Sequence, residues 1–354
     1  MKIYINGTGA ISPQQTAVGA AFWPAVQDYT TNRLKVVDPD YKQWIDLKQI
    51  RRMSRVIKMG VGAAQLSLQQ AGISVPDGII TGTAYGCLDD TGVFLQKMVV
   101  QEEQMLTPTA FIQSTHNTVG GQIALLLGCH AYNNTFVHRG FSFESALLDA
   151  IMFLREGEAR QLLVGGLDEI THFSHAILQR FGLYKTNPGH SGSLLQLHNK
   201  GTIAGEGAAF FVLGAASTPH TKACLAGVQT IYKPTDNAAI QQATTLFLAA
   251  HGLLAADIDL LITGRNGDVD DDQWYNTWTT AHFPGKPEAA FKHLCGEYPT
   301  ATGFGMWLGA NVLAHQQVPA EAMYSGTVPA KINNILMYNH HLTTHHSLIL
   351  MQVC

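Results

Sequence analysis

Residues 133–150 of the chain read NNTFVHRGFSFESALLDA. This stretch predicts a short strand that ends near His138, a tight turn at Arg139 and Gly140, and an amphipathic helix from Phe141 onward. Several classes of enzyme use such a turn to present a nucleophile at a helix N-terminus, where the helix dipole stabilises a thiolate or an oxyanion. This turn contains no cysteine, so its pattern is that of a nucleophile-bearing site without the nucleophile.

Strands and helices alternate along the rest of the chain. The first part predicts strands in KIYINGTGAIS, GIITGTAYGC and QLLVGGLDEIT, separated by helices. The same order restarts after GEGAAFFVLG, with strands in KACLAGVQTIY and IDLLITGRNGD and helices in NAAIQQATTLFLAAHGL and TGFGMWLGANVLAHQQ. This repetition predicts an α/β layered fold in two halves, residues 1–215 and 216–354, whose sheets are covered by helices. Small and turn-forming residues cluster at the boundary, in GAASTPHT.

The composition is that of a globular protein with a large core. Of the 354 residues, 46% are hydrophobic and 14% are charged, which favours two domains or two fused halves over one. The net charge of -4 provides no basic field, so nucleic acid and anionic membrane surfaces are not expected partners. The N-terminal residues lack the features of a signal peptide, and no apolar run is long enough to span a membrane, so we expect a cytoplasmic protein.

Neither the cysteines nor the histidines form a metal-binding pattern. The five cysteines are odd in number and scattered, so we expect reduced thiols and neither a disulfide framework nor a CxxC metal site. The densest group of histidines, in MYNHHLTTHHSLILMQV, has no neighbouring carboxylate and no HExxH arrangement. We interpret this group as part of a loop and a strand and predict no metal site. Its members are His340, His341, His345 and His346.

Four motifs together resemble one known family. INGTGAISP supplies an opening strand and turn, and residues 108–168 fit the family pattern without a gap, including Gly165 and Gly166. GEGA follows at residues 205–208, and FKHLCGEYPTATG at residues 291–303 has a lysine and glycines at the family's intervals. In these motifs the chain resembles a β-ketoacyl synthase. The resemblance implies a thiolase fold, an α/β protein whose two similar halves form a five-layered αβαβα arrangement.

The resemblance covers the scaffold but not the catalytic residues. In the family, a cysteine on the turn takes up the acyl chain, and two histidines drive decarboxylation and stabilise the enolate. Gly140 stands at the cysteine position, Gly264 at the first histidine position and Glu297 at the second. Glycine cannot form a thioester, and a carboxylate would repel the enolate. The family's glycine-rich C-terminal gate is replaced by NHHLTTHH, which has no glycine.

The loss of three separate residues from a retained scaffold is typical of the chain-length factor. The resemblance then implies a subunit without catalytic residues or cofactor, which pairs with a competent β-ketoacyl synthase and shapes the tunnel of a growing polyketide. It would meet acyl carrier protein only indirectly. Aryl-polyene and flexirubin-type pathways are the systems that it most resembles. Two alternatives stay open: an acyltransferase or hydrolase that uses His138, His116 or Glu297 on a thioester, and a homodimeric scaffold without an acyl ligand.

Candidate tunnel residues lie in TPTAFIQSTH, and candidate interface residues lie just before the turn. The resemblance implies that Phe111, Thr115 and His116 contribute to the tunnel wall, with Thr115 where many synthases have a bulky gate. It implies that the strand NNTFVH, with Phe136 and His138, lies at the subunit interface. The alternative is that Phe111 is a core residue and His116 a hydrogen-bonded interior histidine.

Four other titratable residues of these motifs are expected to be structural. Buried thiols outnumber nucleophiles, which favours a packing role for Cys129 and Cys295. We interpret Glu206 as a buried, hydrogen-bonded carboxylate and Lys292 as a partner of Glu297.

Overall fold

The computed structural model describes residues 2–17, 22–23 and 25–354. Strands and helices alternate along the described chain, as the sequence predicts. The strands are β1 Ile3–Ile11, β2 Arg33–Leu34, β3 Gly78–Gly82, β4 Tyr132–Phe136, β5 Gln161–Asp168, β6 Ala204–Gly205, β7 Gly207–Gly214, β8 Ala223–Tyr232, β9 Leu260–Thr263, β10 Glu288–Ala290, β11 Met323–Ser325, β12 Asn334–His341 and β13 His345–Gln352. The α-helices are α1 Leu47–Ile50, α2 Arg55–Ala71, α3 Leu88–Val100, α4 Pro108–Gln113, α5 Thr118–Leu127, α6 Ser142–Glu156, α7 His172–Arg180, α8 Asn237–Ala250, α9 Val269–His282, α10 Lys292–Cys295 and α11 Thr302–His315.

The same strand order occurs twice in the sheet. Strands β1, β3, β4, β5 and β7 are arranged as β4-β3-β5-β7-β1, and strands β8, β9, β10, β12 and β13 are arranged as β10-β9-β12-β13-β8. In the first set β7 is antiparallel to its two neighbours, and in the second set β13, at the same place in the order, is antiparallel to its two neighbours. Antiparallel pairing of β1 with β8 joins the two sets. The predicted boundary between residues 215 and 216 lies in the loop between β7 and β8, and it stays a prediction.

Hydrophobic clusters arrange the helices and strands in five layers. One cluster packs α2 and α5 against the outer side of β3, β5 and β7, and another packs α8 and α9 against β9, β12 and β13. The largest cluster lies between the two sets of strands and contains the inward faces of α6 and α11. Helix α11 is buried on every side from Thr302 to Leu313, as expected for a helix that has sheet on both sides.

The central layer positions the start of α6 in the interior. Helix α6 packs on β3 and β5 through Phe143, Leu147 and Ala150, none of which is exposed. It ends at Gly157, whose φ of 78° is in the left-handed region, where glycine has no steric penalty. The N-terminal turn of α6 is thereby held between the two halves, close to the hairpin of β12 and β13.

The prediction of reduced cysteines is wrong for one pair. Cys224, on β8, and Cys354, at the C-terminal end, form a disulfide. The two cysteines are 130 residues apart in sequence, and the pairing of β8 with β13 brings them together. Cys87, Cys129 and Cys295 are free and buried.

Among the helices that the structure describes, not one has both the length and the apolar composition that are needed to cross a bilayer.

Candidate functional site

The strand-turn-helix unit predicted at residues 133–150 is present, and we call its turn, residues 138–142, the elbow. Strand β4 ends at Phe136, a short 3-10 turn covers Arg139–Phe141, and α6 follows. Ser142 fixes the turn, because its hydroxyl accepts from the backbone N–H of His138 and donates to the carbonyl of Arg139, both at 2.8 Å. Arg139 has a φ of 52°, a left-handed conformation that costs a non-glycine residue about 1–3 kcal/mol. The elbow therefore has the strained geometry of a nucleophile turn.

The space that a nucleophile would need at position 140 is occupied. An ideal Cβ on Gly140 would lie 2.8 Å from the Cβ of His341 and 3.0 Å from the Cβ of His345. These Cβ atoms are fixed to the backbone and cannot rotate away. The absence of a side chain at position 140 is therefore a packing requirement set by His341 and His345 in this chain, and not only the loss of a thiol.

The histidines that close the elbow come from the hairpin that replaces the predicted gate loop. His341 pairs with His345 across β12 and β13, at the end of an uninterrupted ladder. Leu342, Thr343 and Thr344 connect the two strands, and Leu342 and Thr343 have φ values of 51° and 50°, in the left-handed range that occurs in tight hairpin turns. The stretch NHHLTTHH thus forms a rigid β-hairpin whose end packs on the elbow.

Position 264 is closed in the same manner. A Cβ on Gly264 would meet Oδ1 of Asn339 and would lie 2.7 Å from the hydroxyl of Tyr275. Both groups are held in place, since Asn339 donates to Thr302 at 2.9 Å and the Tyr275 hydroxyl accepts from the backbone of His340 at 3.0 Å. A histidine at position 264 would displace these hydrogen-bonded groups.

Both carboxylate oxygens of Glu297 have partners in a buried hydrogen-bond network. Its Oε2 lies 2.7 Å from Nζ of Lys292 and accepts from Nδ2 of Asn266 at 3.0 Å, while its Oε1 accepts from Nδ1 of His341 at 3.2 Å. Nζ of Lys292, which is wholly buried, also donates to the carbonyl of His340 at 2.9 Å. The predicted pairing of Lys292 with Glu297 is confirmed.

The network keeps Glu297 ionised. Burial alone would raise its pKa, but the charge of Lys292 and the hydrogen bond from His341 outweigh burial and lower the pKa to about 2. A carboxylate that is already satisfied by three donors and holds its proton so weakly is a poor general base at neutral pH. Glu297 therefore acts as an anchor for the hairpin and for Lys292.

The other hairpin histidines are neutral and hydrogen-bonded. His340 donates from Nε2 to the carbonyl of Asp271 at 3.0 Å, and His346 donates from Nε2 to the carbonyl of Thr343 at 2.8 Å. Burial is the largest cause that lowers the pKa of His340, and it lowers that of His346 to about 4. Within the described residues, no group of three or more His, Cys, Asp or Glu side chains could hold a metal ion.

The other titratable residues singled out from sequence have structural environments. Glu206 accepts backbone N–H groups of Val36 and Ile170 and pairs with Arg55, which agrees with the predicted structural role. The thiol of Cys295 faces the carbonyl of Gly296 at 3.3 Å, and burial raises its pKa well above the usual range. Cys129 donates to the carbonyl of Pro76 at 3.5 Å. Neither arrangement activates a nucleophile.

A pocket of about 100 Å³ opens beside the closed elbow. Glu297 and His341 line it, together with aromatic, aliphatic and acidic side chains, and we call it the acidic pocket. His116 and His138 are exposed and do not line this pocket, so the structure does not bring them together with Glu297. His138 instead lies 3.3 Å from the hydroxyl of Ser145.

The tunnel candidates lie on the surface of the chain. Phe111 and His116 are exposed, Thr115 is at the surface beside them, and Phe111 is not a core residue because 57% of it is accessible. The ring of Phe111 packs on Phe94 of α3 at 5.5 Å between centroids. Phe136 is half-buried on β4, which is the last strand of the described sheet. Their roles in a tunnel or an interface stay predictions.

Phe111, Thr115 and His116 lie on or beside a large group of exposed apolar side chains, which we call the apolar face. It extends over α3, α4 and α7, and a groove between α3 and α7 is lined by Leu88, Leu95, Phe173 and Ile177. Its exposed members are Val93, Leu95, Val99, Val100, Met105, Phe111, Ile112, Phe173, Ile177 and Phe181. Monomeric proteins rarely expose so many neighbouring apolar residues, which mark a contact surface.

Sequence reasoning missed the roles of His341, His345 and Asn266. The two histidines are in the quoted group NHHLTTHH, but nothing in that stretch signals a contact with the distant Gly140. Asn266 is one of the residues of ITGRNGD that replace the family's first histidine motif, and its buried amide binds Glu297. The coincident departures at Gly264, Asn266 and Glu297 are the signal that could have indicated a shared network.

Residues 7–218 match the N-terminal domain of the β-ketoacyl synthases. The chain belongs to the β-ketoacyl synthase family. It is 25% identical over 193 residues to a 3-oxoacyl-(acyl-carrier-protein) synthase 2 of Synechocystis sp., which covers 51% of this chain and 45% of the relative. A synthase of the same name from Staphylococcus aureus is 20% identical over 245 residues, 62% of this chain and 59% of the relative. The chain thus spans about half the length of the curated relatives that it matches.

Solved structures cover the whole chain. The ishigamide ketosynthase/chain length factor superposes with a TM-score of 0.80 at 18% identity, covering 100% of this chain and 99% of that one. A ketosynthase, ApeO, in complex with its chain length factor, ApeC, from Xenorhabdus doucetiae gives a TM-score of 0.79 at 14% identity, covering 100% and 98%. The predicted thiolase fold of this β-ketoacyl synthase-like protein is confirmed.

Proposed function

We propose that this chain is a non-condensing, chain-length-factor-like subunit that pairs with a competent β-ketoacyl synthase in type II polyketide or fatty-acid-like biosynthesis. The observation that carries the proposal is the closed elbow, in which the Cβ atoms of His341 and His345 occupy the space of a nucleophile. A condensing enzyme needs an acylated cysteine in that space. The acylated residue would then belong to the partner.

The decarboxylation step of a condensation also lacks its usual hydrogen-bond donors in this chain. Decarboxylation of a malonyl thioester requires neutral or cationic hydrogen-bond donors around the developing enolate. In this chain the two donor positions hold Gly264, closed by Asn339, and Glu297, an anion. These replacements support a pseudoenzyme and not a synthase with a single altered residue.

The apolar face and the edge strand support a partner subunit. The apolar face lies on α3, α4 and α7, and β4 is the terminal strand of the described sheet. An exposed edge strand offers unpaired backbone groups to a second chain, and an exposed apolar face gains free energy when it is covered. Phe111, Thr115 and His116 lie on or beside this face, where they would border a tunnel that runs between the subunits.

Co-expression tests the proposal. The chain is produced alone and together with a β-ketoacyl synthase that carries the cysteine and both histidines, and each product is analysed by size-exclusion chromatography and native mass spectrometry. We expect a one-to-one complex with the synthase, and formation of β-ketoacyl products from acyl and malonyl thioesters only when both chains and acyl carrier protein are present. Purification of the chain as a homodimer that turns over acyl thioesters by itself would contradict the proposal.

The proposed complex would act in a pigment pathway. We propose an aryl-polyene or flexirubin-type system, in which the complex extends an aromatic starter by β-ketoacyl units that separate enzymes reduce and dehydrate to a conjugated chain. Mass spectrometry of the β-ketoacyl products formed from a malonyl thioester and either an aromatic or an aliphatic starter thioester tests this pathway. Extension of the aliphatic starter alone would contradict the pathway while leaving the partner role intact.

One contact favours a second candidate, a thioester hydrolase or acyltransferase. Nδ1 of His341 donates to Glu297, and both residues line the acidic pocket. An imidazole that is oriented by a carboxylate is the usual arrangement of a general base. Hydrolysis of an acyl-carrier thioester by the isolated chain, lost in His341→Ala and retained in His116→Ala and His138→Ala, would support this candidate. The absence of hydrolysis in the wild-type chain would exclude it.

A further inference from the structure

The acidic pocket has the walls of a ligand site. Tyr85, Tyr184, Leu178 and Leu183 supply aromatic and aliphatic surface, and the tip residue Leu342 closes one side. Small-molecule sites combine such walls with a few polar groups that fix the orientation of the ligand. The nature of those polar groups decides which ligand fits.

All the ionised side chains of the pocket are of one sign. Four carboxyl groups line it, those of Glu169, Asp268, Asp271 and Glu297, and no lysine or arginine is among its described lining residues. A concave site with carboxylates and low-dielectric walls attracts cations and repels anions. The pocket therefore does not suit a malonyl carboxylate or a phosphate group.

Two of the carboxyl groups are already satisfied by the protein. Asp268 caps α9 by accepting from the backbone of Asp270 at 2.8 Å and of Asp271 at 3.2 Å, and its second oxygen accepts from Gly201. Glu297 is held by Lys292, Asn266 and His341, as described above. These two groups have no oxygen left for a ligand.

Glu169 and Asp271 each have one oxygen without a hydrogen bond from any residue that the structure describes, and Glu169 is the more buried of the two. Oε1 of Glu169 accepts from the backbone of Asp89 at 3.0 Å. The side chain lines the pocket although only 8% of the residue is exposed. Its Oε2 is not fully buried, so it can accept a hydrogen bond from a molecule in the pocket.

The buried and acidic surroundings of Glu169 favour a cation beside its carboxyl group. Burial, as the largest cause, and the neighbouring carboxyl groups of Asp89, Glu206 and Asp90 together raise its pKa to about 7, although the hydrogen bond from the backbone of Asp89 lowers it. The groups that face Glu169 from α3 and from the loop before β7 are thus acidic too. A positively charged donor at Oε2 would relieve both the desolvation and the repulsion.

We propose that the acidic pocket binds an organic ammonium ion with an apolar body. The ammonium group donates a charge-assisted hydrogen bond to Oε2 of Glu169, and the body packs on Leu178, Leu183 and the ring of Tyr184. The tyrosine faces provide additional attraction for a cation. The pocket lies within one chain, so the proposal does not depend on the proposed partner subunit.

Isothermal titration calorimetry on the full chain, alone and in its complex with the synthase, tests the proposal with three probes of similar shape. Phenethylamine is the cation, phenethyl alcohol the neutral analogue and hydrocinnamate the anion. We expect saturable one-to-one binding of the amine, and binding of the alcohol and the anion that is at least about tenfold weaker, because a hydrogen bond to a charged group contributes about one factor of ten or more. Equal binding of the amine and the alcohol, or no saturable binding of the amine, would overturn the proposal.

Two variants locate the site. Glu169→Gln keeps the acceptor for Asp89 but removes the negative charge, so we expect amine binding to weaken at least about tenfold while alcohol binding is unchanged. Glu158→Gln, an exposed residue outside the pocket, is the control and should bind as the wild type does. Thermal unfolding of each variant verifies the fold, and the comparison of probes on the wild type decides the matter if Glu169→Gln does not fold. Unchanged amine binding in a folded Glu169→Gln would contradict the assignment.

Discussion

The Cβ that a side chain at position 140 would need lies 2.8 Å from the Cβ of His341. Two Cβ atoms in a folded protein do not approach so closely, so Gly140 and His341 exclude any larger residue at the elbow unless one backbone moves. The hairpin that carries His341 is in turn held by Glu297 and by the ladder between β12 and β13. The three altered catalytic positions thus belong to one packed unit.

Substitution of Gly140 by alanine should destabilise the protein. The added methyl group meets the Cβ atoms of His341 and His345, and overpacking of this kind costs about 1–3 kcal/mol. The control is Gly121→Ala on α5, where a Cβ meets nothing within 4 Å and alanine favours a helix by up to about 1 kcal/mol. Urea unfolding measures both free energies. Equal stability of Gly140→Ala and the wild type would show that the hairpin yields easily.

Restoring the thiol should not restore acylation. In Gly140→Cys the new side chain must push on His341, and no histidine stands at position 264 or 297 to support the reaction. We expect no mass increase on incubation with acyl thioesters beyond that of the wild type, as measured by intact mass spectrometry; the wild type is the control because its free thiols, those of Cys87, Cys129 and Cys295, are buried. A stable acyl adduct on the introduced thiol would contradict the account of a closed elbow.

Removal of Glu297 should be far more damaging than removal of a similar surface charge. Glu297→Ala leaves the wholly buried Lys292 without its counter-ion, which costs about 3–5 kcal/mol. The control is Asp270→Ala, which breaks a pair with Lys200 of nearly the same length, 2.8 Å, on the surface, where solvent and salt screen such pairs so that they contribute little. Chemical denaturation compares the two variants. A loss below about 1 kcal/mol in Glu297→Ala would show that Lys292 sheds its charge without cost.

Glu297 should also contribute to acid sensitivity. Its pKa of about 2 is below the ordinary value of 4.5, so its ionised form stabilises the fold above pH 4.5, and this stability is lost as the pH falls towards 2. The difference corresponds to about 3 kcal/mol at neutral pH. We expect the gap in unfolding free energy between the wild type and Glu297→Gln to shrink as the pH falls from about 6 to about 3. Glu158→Gln, the exposed control, should show no such change, and a gap that is constant with pH would refute the assignment of the pKa.

A charge on the apolar face should weaken the proposed complex. Ile112→Asp introduces a carboxylate on α4 at a residue that is 62% exposed, whereas Leu246→Asp does so on α8 at one that is 61% exposed. Because both positions are exposed, each isolated chain should keep its stability within about 0.5 kcal/mol. Only Ile112→Asp should raise the dissociation constant for the synthase, by at least about tenfold, as measured by calorimetry. Equal effects of the two variants would place the interface elsewhere.

The order of strands and helices was predictable because periodicity and glycine turns are local properties of the chain. The strand before the elbow, the helix after it and the repeated order of the second half are visible in the sequence, and the structure contains them. The sequence also predicts that catalytic residues are replaced at Gly140, Gly264 and Glu297, since these residues depart from motifs whose other residues stay in pattern, and this assignment stays a prediction. The absence of a cysteine and of two histidines at these positions is therefore a property of the sequence alone.

Only the tertiary structure decided which groups occupy the space around these three positions. The contacts of His341 with Gly140 and Glu297, of Asn266 with Glu297, and of Cys224 with Cys354 join residues that are distant in sequence and meet only when the chain packs. The oxygen of Glu169 that faces the pocket without a partner among the described residues is likewise a result of packing, which no local pattern reports. Composition and spacing determine which residues a chain has, but only packing determines which atoms compete for the same space and which are left without a partner.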